Sequence, residues 1–412
     1  MYRRVPQLRY SSVCITGVSM MQETRLGEYR ARWLPSIQAV DRAAWNTLSG
    51  AEVFPFLEWE WLYHLEASGS VTPEAGWTPN HLTLWSGHEL VAAAPMYLKW
   101  HSDGEFIFDQ IWLELAYRLG QAYYPKLVGM CPFTPAVGYR FLISGRVSER
   151  LATEAMIRAI ELFCRENGVP ACHFHYVDSK WAGSLYRYGF LAWTHQSFLW
   201  KNQGYASFED YLNNLKSNAR RNIKKELHCL QDSGIEVRPY SGESIPREYL
   251  ATMYAFYTST NAQYGPWGCH YLNRDFFEAV FRDYRRRLLL MAAFREGSGD
   301  IPVGMSLLVH KGGHLFGRYW GCREQIRHLH FQVCYYSPIQ WAIQNGLQFF
   351  EPGIGGAHKL FRGFQLTPCL SLHRFFNSQM HWVVNSYTEQ INGLTNDQIS
   401  RLNRKSPLKR SW

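Results

Sequence analysis

The chain has 412 residues, 46% hydrophobic and only 19% charged, a composition that excludes an intrinsically disordered protein. Its nine cysteines are scattered without CxxC pairs, which excludes a disulfide framework and fits reduced thiols in a cytoplasmic protein. No apolar run approaches the roughly 20 residues of a membrane span, and the net charge of +9 favours an anionic partner: nucleic acid, an anionic membrane surface or a phosphate-bearing cosubstrate.

At roughly 150 residues per domain the length suits two or three domains. Residues 1–26 read as a leader, with Arg3, Arg4 and Arg9 beside a mixed segment too short for a secretory apolar region. Met20 and Met21 are alternative starts. Two mixed α/β halves follow, over 27–203 and 204–390, and then a polar tail over 391–412. In the first half, 81–85 and 89–100 predict two strands around a Ser-Gly-His turn. Residues 133–144 predict a turn and a strand. Residues 148–167 predict a helix capped by Ser148, with apolar residues recurring from Leu151 to Phe163. A strand follows over 171–177. His173 and His175 share one face of it and Cys172 the other, so they read as two satisfied histidines, not as a metal site.

Residues 207–233 predict one amphipathic helix, opened by a Ser207/Asp210 capping-box pattern. Lys216, Arg220, Arg221, Lys224 and Lys225 cover its polar surface. That surface is either a solvated face or an anion-binding face for RNA or an acidic partner. The second half then repeats the order of the first. A strand over 287–295 precedes a hairpin of 302–310 and 314–321, then a helix over 335–344 and a strand over 347–351. Helix followed by strand occurs at the end of both halves, an internal duplication of order without identity.

The last of these strands runs into FFEPGIGGAHKLFRGFQLTP, residues 349–368. Gly353, Gly355 and Gly356 allow positive φ and close approach of backbone to a ligand. His358, Lys359 and Arg362 follow, and Glu351 ends the strand. Basic side chains beyond such a turn can neutralise a phosphate or carboxylate. The alternative is a glycine-rich turn with a solvated basic edge. GxSxG, Walker and HExxH patterns are absent.

Four segments carry a resemblance: FLEWEWLYHLEASG (56–69), YYPKLVGMCPFTPAVGYRFL (123–142), HLHFQVCYYSPIQWAI (328–343) and FEPGIGGAHKLFRGF (350–364). Through them the chain resembles, over about residues 54–375, the FemAB-like predicted N-acyltransferases. These are relatives of the peptidoglycan-bridge aminoacyltransferases within the GNAT superfamily. The resemblance implies an α/β fold with mixed sheets, built as two tandem GNAT-like domains sharing a cleft. It implies acyl or aminoacyl transfer to an amine, with acyl-CoA or aminoacyl-tRNA as cosubstrate and no permanently bound cofactor or metal. The chain has neither the glycine-rich pyrophosphate loop of GNAT enzymes nor the coiled-coil insert of the bridge transferases, so both donors stay open. Gln332 and Ala357 stand where the family pattern has acids.

Acyl transfer requires a neutral amine, a stabilised oxyanion and aligned substrates. Glu351 or His358 is expected to take the proton. Lys359 and Arg362, with Lys126 and Arg140 from across the cleft, are expected to hold an anionic group. Tyr124, Tyr319 and Trp320 would wall the cleft, and Arg318, His330, Gly355 and Gly356 complete the expected substrate-binding set. Two other readings compete: an RNA-binding protein that uses the basic helix, and a degenerate, non-catalytic scaffold.

Overall fold

Leu288–Phe294 is apolar at every position, and all seven residues are buried in a central strand, as expected of a run that must be covered on both faces. The computed structural model describes residues 22–265, 268–297 and 299–409. Arg3, Arg4, Arg9, Met20 and Met21, and so most of the expected leader, lie outside the described residues. The strands of the first half are β1 (Glu23–Leu26), β2 (Tyr29–Leu34), β3 (Trp77–Pro79), β4 (His81–Ser86), β5 (Glu89–Ala94), β6 (Met96–Lys99), β7 (Lys126–Gly129), β8 (Leu142–Ile143), β9 (Ala171–Val177) and β10 (Leu191–Lys201). Those of the second half are β11 (Ile235–Ser241), β12 (Leu288–Arg295), β13 (Gly304–Lys311), β14 (His314–Cys322), β15 (Phe349–Glu351) and β16 (Gln365–Phe375).

They form two mixed sheets. One has five strands in the order β1-β2-β4-β5-β8; the other has eleven, β11-β12-β13-β14-β15-β10-β16-β9-β7-β6-β3. The duplication is visible in the ladders. β7 and β9 pair in parallel, and so do β14 and β15; all other strand pairs among the described residues are antiparallel. A helix precedes the second strand of each parallel pair, Glu149–Glu166 before β9 and Ser337–Gln344 before β15. The halves then exchange strands. β10 leaves the first half to pair with β15, and β16 leaves the second to pair with β9. β10 and β16 pair with each other from Leu191↔His373 to Leu199↔Gln365.

The helix over Glu149–Glu166 matches expectation, with the Ser148 hydroxyl accepting from the Leu151 N–H. Four expected elements differ. The strand 89–100 divides at Pro95, which cannot donate to a ladder, and the chain changes sheet there. Most of 133–144 is loop, with only β8 as strand. The helix over 207–233 is two helices, Phe208–Asn213 and Ser217–Asp232. It breaks because Lys216 N–H donates to Pro407 O at 2.7 Å while Leu215 bridges to Leu408, so tertiary pairing outweighs helix continuity. The helix of 335–344 begins with a π-turn, Gln332–Tyr336. In the tail, residues 391–403 belong to a 26-residue helix, Ser378–Asn403. No helix among the described residues is long and apolar enough to cross a membrane.

The halves are also joined through a buried ion cluster. Glu58 accepts from Arg287 at 2.7 Å, Lys311 at 2.9 Å and the Tyr284 hydroxyl at 2.7 Å. Burial would push its carboxyl up, but the hydrogen bonds from Arg287, Tyr284 and Lys311 hold it at about 2. Phe54 and Phe56 of the first half pack edge-on against Phe316 beside this cluster.

Candidate active site

β14 and β15 pair only from His314↔Phe349 to Phe316↔Glu351; β14 then runs on to Cys322 without β15, still paired with β13. Glu351 therefore sits at a fork between parallel strands, 7% exposed. Both its carboxylate oxygens accept from a single donor, the Val137 N–H, at 3.2 Å each. Burial pushes its pKa up to about 8, against the Val137 N–H and the charges of Arg318 and Lys359. Val137 belongs to the other half, in the loop that replaces most of the expected strand over 133–144. Arg318 anchors the same loop by donating to Phe133 O at 2.7 Å. Its guanidinium also lies 5.2 Å from the Tyr319 ring centre. A carboxyl from one half is thus capped by backbone from the other.

The glycine loop leaves the fork directly. Gly353, Gly355 and Gly356 all have positive φ. Lys359, 3% exposed, donates to Gly353 O at 2.7 Å and Ile354 O at 3.1 Å. Burial lowers its pKa to about 8, against the pull of Cys334 and Glu351. It fixes the loop from beneath and is not the free phosphate ligand expected of it, because its ammonium is already satisfied by carbonyls. His358 holds the Tyr335 hydroxyl at 3.0 Å through Nε2. Its pKa is lowered by burial, then by Arg362 and Lys359, so the ring is neutral at pH 7. His330 lies behind it, ring centres 5.7 Å apart, and stands 4.5 Å from Trp320. Burial takes His330 down to about 3. Tyr335 and Phe331 complete this aromatic wall, Tyr335 from the π-turn, an irregularity frequent at functional sites.

Gly356 is constrained from two sides. Its φ is +82°, and an added Cβ would lie 2.5 Å from Cε1 of His358. Gly356→Ala is expected to cost about 1–2 kcal/mol of stability and, by displacing the imidazole, to reduce activity by about 100-fold. Thermal unfolding and steady-state kinetics on the same preparation separate the two effects.

Arg362 does not face the cleft. It donates to both oxygens of Glu226, at 2.8 and 3.0 Å, and its guanidinium carbon lies 3.4 Å from the Phe331 ring centre. Glu226 also accepts from the Tyr336 hydroxyl. Arg362 thereby ties the turn after the glycine loop to the basic helix Ser217–Asp232. On that helix Arg221, Lys224 and Lys225 are exposed, as is Lys216 at its start, while Arg220 is half-buried. Lys224 pairs with Glu209 at 2.7 Å. A groove of about 590 Å³ lies between this helix and the C-terminal segment, lined among others by Lys216, Asn218, Asn222, Arg362 and Lys405.

The first-half residues expected across the cleft are engaged elsewhere. Lys126 is fully buried, with Glu105 at 2.8 Å and Asp109 at 2.5 Å, and the Tyr124 hydroxyl bonds to Ser102 at 2.8 Å. Both belong to a closed polar cluster, not to a substrate wall. Arg140 donates to Glu149 at 3.0 Å and lies 3.7 Å from Glu52. His175 bonds Glu105 at 2.9 Å and His173 bonds His373 at 2.9 Å, so each has a protein partner. No group of three or more His, Cys, Asp or Glu among the described residues is arranged to hold a metal ion.

Sequence reasoning missed Val137, Tyr335, Phe331 and Glu226. The signal for Val137 was Pro132 and Pro135, which interrupt a strand and leave neighbouring N–H groups free to cap a ligand or side chain. Chemically, the site offers a carboxyl whose pKa burial pushes up to about 8, an imidazole whose pKa burial lowers, and a loop exposed at residues 354–357.

The FemAB-like family model, described as peptidoglycan biosynthesis/recognition, matches residues 36–410. No curated protein matches the chain in sequence. Among solved structures, FemX superposes with a TM-score of 0.52 at 11% identity, covering 84% of this chain and 98% of its own. The C-terminal domain (DUF2156) of a putative lysylphosphatidylglycerol synthetase from Agrobacterium fabrum gives 0.51 at 9% identity, covering 85% and 96%. These two share the fold of this chain.

Proposed function

The chain belongs to the FemAB-like family, and from that premise we propose that it is an N-acyltransferase whose proton acceptor is Glu351. The observation that carries this reading is the carboxyl at the β14/β15 fork, buried and capped by the Val137 N–H of the other half; burial pushes its pKa up to about 8. A general base is most effective when its pKa lies near the working pH. In the reaction, the amine nitrogen forms a bond to the acyl carbon and the C–S or C–O bond to the donor breaks. The amine proton passes to Glu351 and leaves with the donor's thiol or hydroxyl. His358, whose Nε2 meets the Tyr335 hydroxyl at 3.0 Å, is assigned the second place, holding or relaying that proton. Trp320 and His330 wall the approach beside His358, whereas Tyr319 packs against Tyr257 and Phe277 and is not part of that wall; the backbone of Gly355 and Gly356 is assigned the close contact surface.

The donor is an activated acyl group on an anionic carrier, acyl-CoA or charged tRNA, and the acceptor is an amine. The family's description suggests an amine of a peptidoglycan precursor. A cytoplasmic location, where both donors are made, accords with this. We assign Lys216, Arg220, Arg221, Lys224 and Lys225 to the carrier if it is tRNA. The exposed pair Arg221→Glu/Lys225→Glu is then expected to weaken tRNA binding and to lower its log–log salt slope by about 2. With acyl-CoA as donor the pair leaves KM unchanged. The deciding experiment assays transfer from acyl-CoAs and from charged tRNAs to amine acceptors. Transfer lost in Glu351→Gln supports the reading; no transfer from either donor class overturns it in favour of a non-catalytic scaffold.

A further inference from the structure

We infer that the transferred group is a short, uncharged aliphatic acyl chain, received by a small apolar pocket behind the glycine loop; this rests on the acyltransferase reading above, with an acyl thioester and not a charged tRNA as donor. The pocket has a volume of about 190 Å³. Phe198, Leu360, Leu366 and Leu402 form its walls, and Gly355, Gly356 and Ala357 its mouth. Gln196 is its only polar side chain, and none of its lining residues is ionisable. Phe198 and Leu366 are paired across the exchanged strands β10 and β16, Leu402 comes from the C-terminal helix and Leu360 from the turn Ala357–Arg362, so four separate elements hold the walls.

The mouth adjoins His358: Ala357 precedes it in the chain, and a Cβ on Gly356 would lie 2.5 Å from its Cε1. Gly355 has nothing within 4 Å of the position a Cβ would take, so the loop leaves room there. Lys359 links the two places: its ammonium lies 5.6 Å from the Phe198 ring centre and holds the carbonyls of Gly353 and Ile354, next to the Glu351 fork. A carboxylate or ammonium carried into these walls would lose its water and meet no opposite charge among the lining residues, with Gln196 as the one polar side chain. An aliphatic chain loses nothing by entering. At roughly 30 Å³ for each water-sized group the space takes about six such groups.

The test uses acyl-pantetheines from acetyl to octanoyl with the full chain. Affinity is expected to rise about fourfold per methylene to about six carbons and then to stop rising. 6-Aminohexanoyl-pantetheine is expected to bind no better than the acetyl compound. Methyl resonances of Leu360, Leu366 and Leu402 should shift on binding of the hexanoyl compound. Ala357→Phe, at an exposed position of the mouth, should remove the chain-length dependence without changing the melting temperature, and Leu402→Trp provides a second plug from the opposite wall. A flat chain-length series, binding of the 6-amino compound equal to hexanoyl, methyl shifts elsewhere, or no binding by any member would overturn the inference. Turnover of the same thioesters with an amine is scored separately. Turnover without chain-length dependence defeats the pocket alone; chain-length-dependent binding without transfer in any donor class defeats the enzymatic reading alone.

Discussion

Glu351→Gln is expected to lower kcat/KM by about 10²–10⁴-fold and to abolish a rise of activity with pH centred near the carboxyl's value of about 8. The carboxylate must be ionised to accept a proton, so activity grows as pH rises through that value. His358 as sole base would give a different profile. Its pKa is lowered from 6.5, so its limb would lie below that pH and would survive in Glu351→Gln. The same substitution should stabilise the protein at neutral pH. Burial raises the folded-state pKa of Glu351 to about 8 from the 4.5 of a free glutamate side chain, so its contribution to stability is fully present below 4.5 and is lost as pH rises toward 8. Gln removes that loss, with a gain at pH 8 on the order of a few kcal/mol. Denaturant unfolding at pH 4 and pH 8 checks the sign: the variant's advantage appears only at the higher pH. A variant that is both less active and more stable marks a strained functional group. A variant that loses stability at pH 8 would show that Glu351 is instead a structural ion.

Lys126→Met is expected to destabilise the protein by about 3–5 kcal/mol, read as a large fall in melting temperature. The side chain is fully buried between Glu105 and Asp109, and both carboxyls are held below their ordinary values by its charge in spite of burial. Without it two carboxylates face each other in the core. The loss should shrink as the pH is lowered, because protonation relieves the unpaired charge. The triple variant Lys126→Met/Glu105→Gln/Asp109→Asn should recover most of the stability, since a neutral cluster has no charge to desolvate. Activity per folded molecule should be little changed in the triple variant. An intact melting temperature with a raised KM in Lys126→Met would return this lysine to the substrate site.

The contrast between these two residues shows how much was legible in the sequence. Glu351 and the glycine loop could be found because a strand end, three glycines and a run of polar residues fall within one short segment. The helix 149–166 and the strands β9, β12, β13 and β14 were legible for the same reason: period and caps are local. Lys126, Arg140 and Arg362 were misplaced because a basic residue in a motif has the same appearance whether it meets a substrate or a carboxylate distant in sequence. Arg362 finds Glu226, and only the tertiary fold brings them together. The break at 214–216 has the same origin, since its cause is a backbone pairing with 407–408. Val137 was missed for a further reason: Pro132 and Pro135 marked the loop but not the residue, because its contribution is a main-chain N–H, which any residue but proline provides.

The crossing of β10 and β16 sets the order in which the nascent polypeptide can be completed. β9 is finished at Val177, but its neighbour β16 ends only at Phe375, 198 residues later. At roughly 5–20 residues per second of synthesis, the edge of β9 waits on the order of 10–40 s for its partner to leave the ribosome. During that interval a strand of seven buried residues presents an unpaired edge, the kind of surface that recruits other chains. A premature stop before residue 365 would leave that edge open permanently, so truncated products of this gene should be held by chaperones or degraded, not accumulate as a free N-terminal half.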